Sequence, residues 1–224
     1  MSMRVAVVTF PGTNCEHDAI QGLEAVGAEA VFWWHTETSL DGIDAVVLPG
    51  GFAHGDYLRP GAIARFSPVM AAVADFAAQG GPVVGICNGF QVLTEAGLLP
   101  GALQKNAQLT FACQPCGLEV AQTSSVLTRG LEIGQHLEIP INHFSGSYVC
   151  DEATLASLEA NDQVVLRYRQ NPNGSVANIA GICNVAGNVV GLMPHPERAI
   201  SPLLGSSDGL HLLGSLVSSL PAHR

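Results

Sequence analysis

The chain has 224 residues, 47 % of them hydrophobic and 12 % charged, with 25 glycines and a formal net charge of −10. That length and apolar content suit one large α/β domain spanning residues 1–224, with a well-buried core and many tight turns, and they exclude a disordered chain. The acidic balance excludes a grip on nucleic acid or an anionic membrane through bulk electrostatics, and leaves open an anion site made of backbone amides.

In chain order, RVAVVTF (4–10) reads as a buried strand and CEHDAIQGLEAVG (15–27) as a helix that Gly27 can end. AEAVFWW (28–34) and IDAVVLPGG (43–51) are the next strands, the latter stopped by Pro49-Gly50-Gly51. GAIARFSPVMAAVADFAAQGG (61–81) reads as mostly helix with a kink or break at Pro68. PVVGIC (82–87) is a fourth strand, followed at once by the helix NGFQVLTEAGLL (88–99). Strands alternating with helices predict parallel βαβ units: an open, mostly parallel sheet flanked by helices, of flavodoxin-like type. Ligands bind such sheets at the carboxyl ends of the strands, which puts Gly50-Gly51 and Cys87 on one edge. The second half is strand-rich, with candidates at 117–122, 136–141, 163–168, 179–187 and 189–197, and a closing helix near Gly209–Leu220. No apolar run approaches the ~20 residues that span a bilayer, and the first residues lack a signal-peptide cleavage pattern. The expected location is the cytoplasm, where the six cysteines stay mostly reduced.

Gly85-Ile86-Cys87-Asn88-Gly89 has the form of a nucleophile elbow with cysteine in the place of serine. A strained strand-to-helix turn needs tiny flanking residues, and it presents the sulfur beside a helix N-terminus, where the thiolate is favoured. The amide of Asn88 then becomes half of an oxyanion hole. The plain alternative is a buried cysteine at an ordinary turn. A thiolate nucleophile needs a base, and the base an orienting acid. GLMPHPER (191–198) offers His195 and Glu197. Met193 and His195 each precede a proline, which favours extended backbone, and residues two apart on an extended chain face the same way. Gly50-Gly51 lets backbone amides approach a ligand closely, so Gly51 or Phe52 is the second oxyanion donor.

GICNGFQ (85–91), PGGFAHGDYLRPGAIARF (49–66) and MPHPER (193–198) resemble the class I, triad-type glutamine amidotransferases. The Gly-Asp-Tyr-Leu-Arg and Asn-Gly-Phe-Gln wording is similar, more narrowly, to the glutaminase subunits of phosphoribosylformylglycinamidine synthases. So are WHTETSLDGIDAVVLPGG (34–51), TEAGLLPGAL (94–103), NGSVANIAGICN (173–184) and LLGSSDGLHLL (203–213), so the resemblance covers nearly the whole chain. It implies that Cys87 attacks the side-chain amide of glutamine, that His195 moves the proton and that Glu197 orients His195. Gly51 or Phe52 and Asn88 would hold the oxyanion. Gln91 would lie near the bound glutamine, with a polar helix residue facing a loop as the alternative. Asn142, His143 and Phe144, in PINHFSG (140–146), would hold the amino-acid end of the substrate, largely through backbone. The close family usually reads His-Gly-Glu-Gly where this chain has His143-Phe144-Ser145-Gly146, so a carboxylate is missing here. Arg59 would contact glutamine or the partner, or form a structural ion pair. The resemblance also implies no metal or cofactor in this chain. A separate synthetase subunit, with a small third subunit, would use ATP and Mg2+ to convert formylglycinamide ribonucleotide to formylglycinamidine ribonucleotide. The chain has no P-loop, which suits a subunit that supplies ammonia. The second reading is a stand-alone γ-glutamyl or cysteine peptidase with the same elbow, and the non-enzyme reading is a binding module that has lost the chemistry.

Cys15 also stands at a helix start and is a rival nucleophile, with Glu16 and Asp18 opposing its thiolate. Cys113-x-x-Cys116 lacks the further ligands of a zinc site and precedes strand-like residues, unlike a redox pair that opens a helix. Trp33-Trp34 reads as core or sheet end, or, if exposed, as an anchor for a protein contact.

Overall fold

The computed structural model describes residues 2–218. Continuous β-branched and small apolar runs form its central strands, as expected of parallel strands covered on both faces. These are β1 (Arg4–Thr9), β3 (Ala45–Leu48) and β4 (Val83–Ile86), with the edge strand β2 (Glu29–Trp34) beside β1. Helices α1 (Glu16–Ala25), α2 (Val69–Ala78) and α3 (Asn88–Glu95) connect or follow them. Trp34 lies at the end of edge strand β2 and is half exposed, at the sheet end rather than in the core.

The sheet continues into the second half of the chain. Chain order adds β5 (Ala102–Lys105), β6 (Ala112–Val120), β7 (His136–His143), β8 (Ser145–Val149), helix α4 (Glu152–Ala160), β9 (Val164–Tyr168), β10 (Ile179–Cys183), β11 (Val189–Leu192) and helix α5 (Gly209–Ser218). Nine strands share one sheet in the order β2-β1-β3-β4-β11-β10-β9-β6-β7. From β2 to β11 all neighbours are parallel, and from β11 to β7 all are antiparallel. The decisive pairing is β4 with β11, in the register Gly85↔Gly191 and Ile86↔Leu192. It brings the chain that leaves β4 at Cys87 alongside the chain that leaves β11 at Met193.

Some elements differ from the sequence expectation. Of the kink or break expected at Pro68, the break is observed: a 3-10 turn, Ala64–Phe66, is followed by extended Ser67, and α2 starts at Val69. Pro68 forces this break, because the residue before a proline is driven out of helical geometry. Strand β6 begins at Ala112, earlier than the expected Gly117, because β7 pairs it from Ala112↔His143 to Glu119↔His136. The pair β5–β8, a separate two-stranded sheet, and helix α4 were not anticipated. The β5 residues are mostly exposed and lack an apolar alternation to read. Helix α4 buries only Leu158, so its apolar stripe is weak; its signal was the cap, where Asp151 accepts a hydrogen bond from the Thr154 amide at 2.7 Å. The expected end of α5, at 219–220, lies outside the described residues.

Candidate active site

Cys87 occupies a backbone conformation, φ 51° and ψ −104°, that non-glycine residues rarely adopt. The sequence around it explains how this is tolerated. A Cβ on Gly89 would collide with the Leu48 carbonyl oxygen of β3, and a Cβ on Gly85 would come within 2.6 Å of the Gly89 backbone. Only glycine at both positions lets the chain turn from β4 directly into α3. The Cys87 amide donates to the Leu192 carbonyl oxygen at 2.8 Å, which ties the elbow to β11. The Asn88 amide opens α3 and is one of the first-turn donors that a helix leaves without an internal partner.

Beyond β11, the His195 amide donates to the Pro140 carbonyl oxygen of β7 at 2.8 Å. Pro196–Arg198 then form a 3-10 turn, so Glu197 reaches His195 through a tight turn and not through the expected extended chain. The result is a His195 Nδ1···Glu197 Oε1 hydrogen bond of 2.6 Å between two residues that are each 1 % exposed. Nδ1–H donates to the carboxylate, which fixes the orientation of the ring. His195 Nε2 is buried without a hydrogen-bond partner. Burial disfavours the charged ring, but the Glu197 carboxylate and then the Cys87 sulfur outweigh it and hold the His195 pKa well above its ordinary value. A Cβ on Gly50 would stand 2.7 Å from His195 Cε1 and 3.5 Å from Cys87 Cβ, so the β3 exit passes directly against both side chains.

The two expected donors on that exit are not equivalent. The Phe52 amide donates to the Gly12 carbonyl oxygen at 3.0 Å and is already committed. Gly51, with φ 145°, sits opposite Thr13 and keeps its amide out of that pairing. The Phe52 amide is thus taken up by Gly12, and Phe52 contributes a half-exposed ring to the cleft wall. The Asn88 side chain does a separate job. Its Oδ1 accepts from the Ala53 amide at 3.0 Å, and its Nδ2 donates to Gln91 Oε1 at 2.8 Å and to Asp56 Oδ1 at 3.2 Å.

Cys87 and His195 line a cleft of about 260 Å³, together with Gln91, Asn142, His143 and Phe144. Gln91 Nε2 donates to the Ser145 carbonyl oxygen, which ties α3 to the segment after β7. The His143 ring is buried, and its Nδ1–H donates to Asn106 Oδ1 at 3.0 Å. Burial lowers its pKa to about 4, so the ring is neutral near pH 7. A Cβ on Gly146 would run into that ring, which explains the glycine. Arg59 is not among the cleft residues: its exposed guanidinium pairs through Nε and Nη2 with Glu95, with Nη2···Oε2 at 2.7 Å. The structural ion pair, one of the readings of the sequence, is the one observed. Asp56, Ser145, Phe111 and Asn14 line the cleft and were missed. The clue to Asp56 lay in the Gly-Asp-Tyr-Leu-Arg wording, read there for the family resemblance and for Arg59 but not for its aspartate.

Cys15 also reaches the cleft and is buried. Arg198 Nη2 donates to its sulfur at 3.1 Å while Arg198 Nε binds Asp18 at 3.1 Å, so the expected opposition from Asp18 is offset by a cation. Cys15, His195 and Glu197 place one ligand atom each within 4.8 Å of one another, the one such group among the described residues. The Arg198 guanidinium on the Cys15 sulfur puts positive charge where a metal ion would have to sit. Cys113 and Cys116, three apart on β6, are exposed and buried respectively, and burial pushes the Cys116 thiol up to about 11.

The chain matches the model of the CobB/CobQ-like glutamine amidotransferase domain over residues 2–207. It is 55 % identical to phosphoribosylformylglycinamidine synthase subunit PurQ of Rubrobacter xylanophilus, over 96 % of this chain and 98 % of that protein. It is 52 % identical to the protein of the same name from Koribacter versatilis, over 97 % of this chain and 99 % of that one. Its fold superposes on a chain of the PurLQS structure from Thermotoga maritima with a TM-score of 0.91 at 42 % identity, covering 99 % of this chain and all of that one. A strained cysteine at a strand exit, a buried His–Glu pair beside it and full-length similarity agree: this chain belongs to the CobB/CobQ-like glutamine amidotransferase family.

Proposed function

We propose that this chain is the glutaminase subunit of a phosphoribosylformylglycinamidine synthase, working as a single domain and hydrolysing glutamine to glutamate and ammonia. The observation that carries the chemistry is the 2.6 Å His195–Glu197 bond beside Cys87 at its strained elbow. Cys87 Sγ attacks the amide carbon of glutamine, and the developing oxyanion is met by the amides of Gly51 and Asn88. His195 Nε2 takes the proton of the Cys87 thiol and delivers it to the departing ammonia, leaving a glutamyl thioester on Cys87. Water, losing its proton to His195, then attacks the thioester and releases glutamate and the free thiol. Glu197 keeps the imidazole oriented and stabilises its charged form. Gln91, Asn142, His143 and Phe144 form the substrate-binding part of the cleft.

The ammonia serves a synthetase subunit that uses ATP and Mg2+ to make formylglycinamidine ribonucleotide in purine biosynthesis. A small third subunit completes the assembly, in the cytoplasm. Similarity to relatives named as synthase subunits, and to a chain of a PurLQS assembly, supports this reading. Those relatives do not favour the stand-alone peptidase reading. Among the described residues no helix is long and apolar enough to cross a membrane. The test is Cys87→Ala in the assembled complex. Glutamine-dependent synthesis is expected to vanish while ammonia-dependent synthesis persists; equal loss of both in a properly assembled complex contradicts the proposal.

A further inference from the structure

Glutamine carries an ammonium and a carboxylate at the end away from its reacting amide. A site that selects it must meet each charge with a group of opposite sign or with well-placed dipoles. The residues lining the cleft include a single carboxylate, Asp56, and neither lysine nor arginine. Asp56 is partly buried, yet among the described residues no arginine, lysine or histidine forms an ion pair with it. Its carboxylate accepts one hydrogen bond, from Asn88 Nδ2 at 3.2 Å. A carboxylate removed from water with no cation beside it is poised to receive one. Burial accordingly pushes its pKa up to about 6.

The backbone around Asp56 is held in an uncommon shape for this purpose. His54, Asp56 and Leu58 all have positive φ, at 52°, 53° and 68°. Left-handed non-glycine residues cost energy and concentrate at functional sites, and aspartate and asparagine bear that conformation best. The single clamp on the carboxylate is the side chain of the residue that follows the nucleophile. That same Nδ2 also holds Gln91. The acid is thus positioned one side chain away from the elbow, on the cleft side.

We infer that Asp56 binds the α-ammonium of glutamine and is the residue that selects an amino acid over a plain carboxylic acid amide. This rests on the glutaminase reading above. The discriminating probe is glutaramate, which keeps the amide, the chain length and the carboxylate of glutamine and lacks only the amino group. Asp56→Asn removes the charge, keeps the shape and suits the left-handed backbone. In the assembled complex it is expected to raise KM for glutamine about 100-fold with little change in kcat. The inhibition constant of glutaramate is expected to stay within about twofold, since no ammonium is there to lose. Parallel weakening of both compounds, or of neither, overturns the assignment of Asp56. A wild-type complex that hydrolyses no glutamine at all overturns the glutaminase reading instead.

Discussion

One wall of the cleft is made of strand exits, and the facing wall is a strained loop. Cys87, His195 and Glu197 leave or follow β4 and β11, are between 1 % and 6 % exposed, and owe their placement to the register of the sheet. The loop from Phe52 to Arg59 belongs to no strand, carries His54, Asp56 and Leu58 in left-handed conformations, and exposes Tyr57 at 73 % and Leu58 at 89 %. It is held by the Phe52 and His54 amides, which donate to the Gly12 and Pro11 carbonyl oxygens, by the side chain of Asn88, by the Arg59–Glu95 pair and by the Ser67 hydroxyl, which lies 3.3 Å from His54 Nε2. The contrast teaches that the bond-breaking groups sit where packing fixes them. On the proposed reading, the ammonium of glutamine is met by the loop that carries Asp56.

The largest expected effect strikes the rigid wall. Glu197→Gln leaves the packing nearly unchanged and offers His195 an amide in place of a carboxylate. A fall in glutaminase kcat of about 10⁴-fold is expected, with KM little altered, read by steady-state kinetics of the assembled complex. Asn88→Ala strikes the joint between the walls. It strands the Ala53 amide and frees the Asp56 carboxylate, so stability falls by about 2 kcal/mol in urea unfolding and KM for glutamine rises. If KM stays put, the joint is not what sets the loop.

Acid titration sharpens the comparison. Asp56, pushed up to about 6, is ionised above that pH and neutral below it. KM for glutamine should therefore climb as pH falls through about 6. The other titratable side chains of the cleft behave differently: burial lowers His143 to about 4, and Glu197 helps to hold His195 charged throughout that range. Glutaramate inhibition should be flat across the same window. The smallest effect is expected from Arg59→Ala. An exposed ion pair outside the cleft contributes little, and KM for glutamine should stay within about twofold of wild type.

The same contrast governs what was legible in the sequence. Gly85-x-Cys87-x-Gly89 and His195-x-Glu197 are written in residue types whose sterics and chemistry leave few alternatives, and strand alternation put their exits on one edge. The β1–β4 region could be read because its strands are uninterrupted apolar runs. The antiparallel half was harder: Pro115 and Pro140 face each other across β6 and β7 and interrupt the usual strand pattern. That the Phe52 amide is already bonded depends on the Gly12 carbonyl, a partner about 40 residues away whose approach no local pattern records. Arg59 was judged from a motif that contains it, while its ion partner Glu95 lies on a helix that the motif does not include.

Labelling tests the central claim most directly. The assembled complex is treated with a glutamine-analogue diazo-ketone, and the modified residue is located by mass spectrometry. A single adduct on Cys87, suppressed by excess glutamine, is the predicted result. An adduct on Cys15, the second thiol of the same cleft, or no adduct at all, would contradict the assignment of the nucleophile and with it the mechanism built on the β4 elbow.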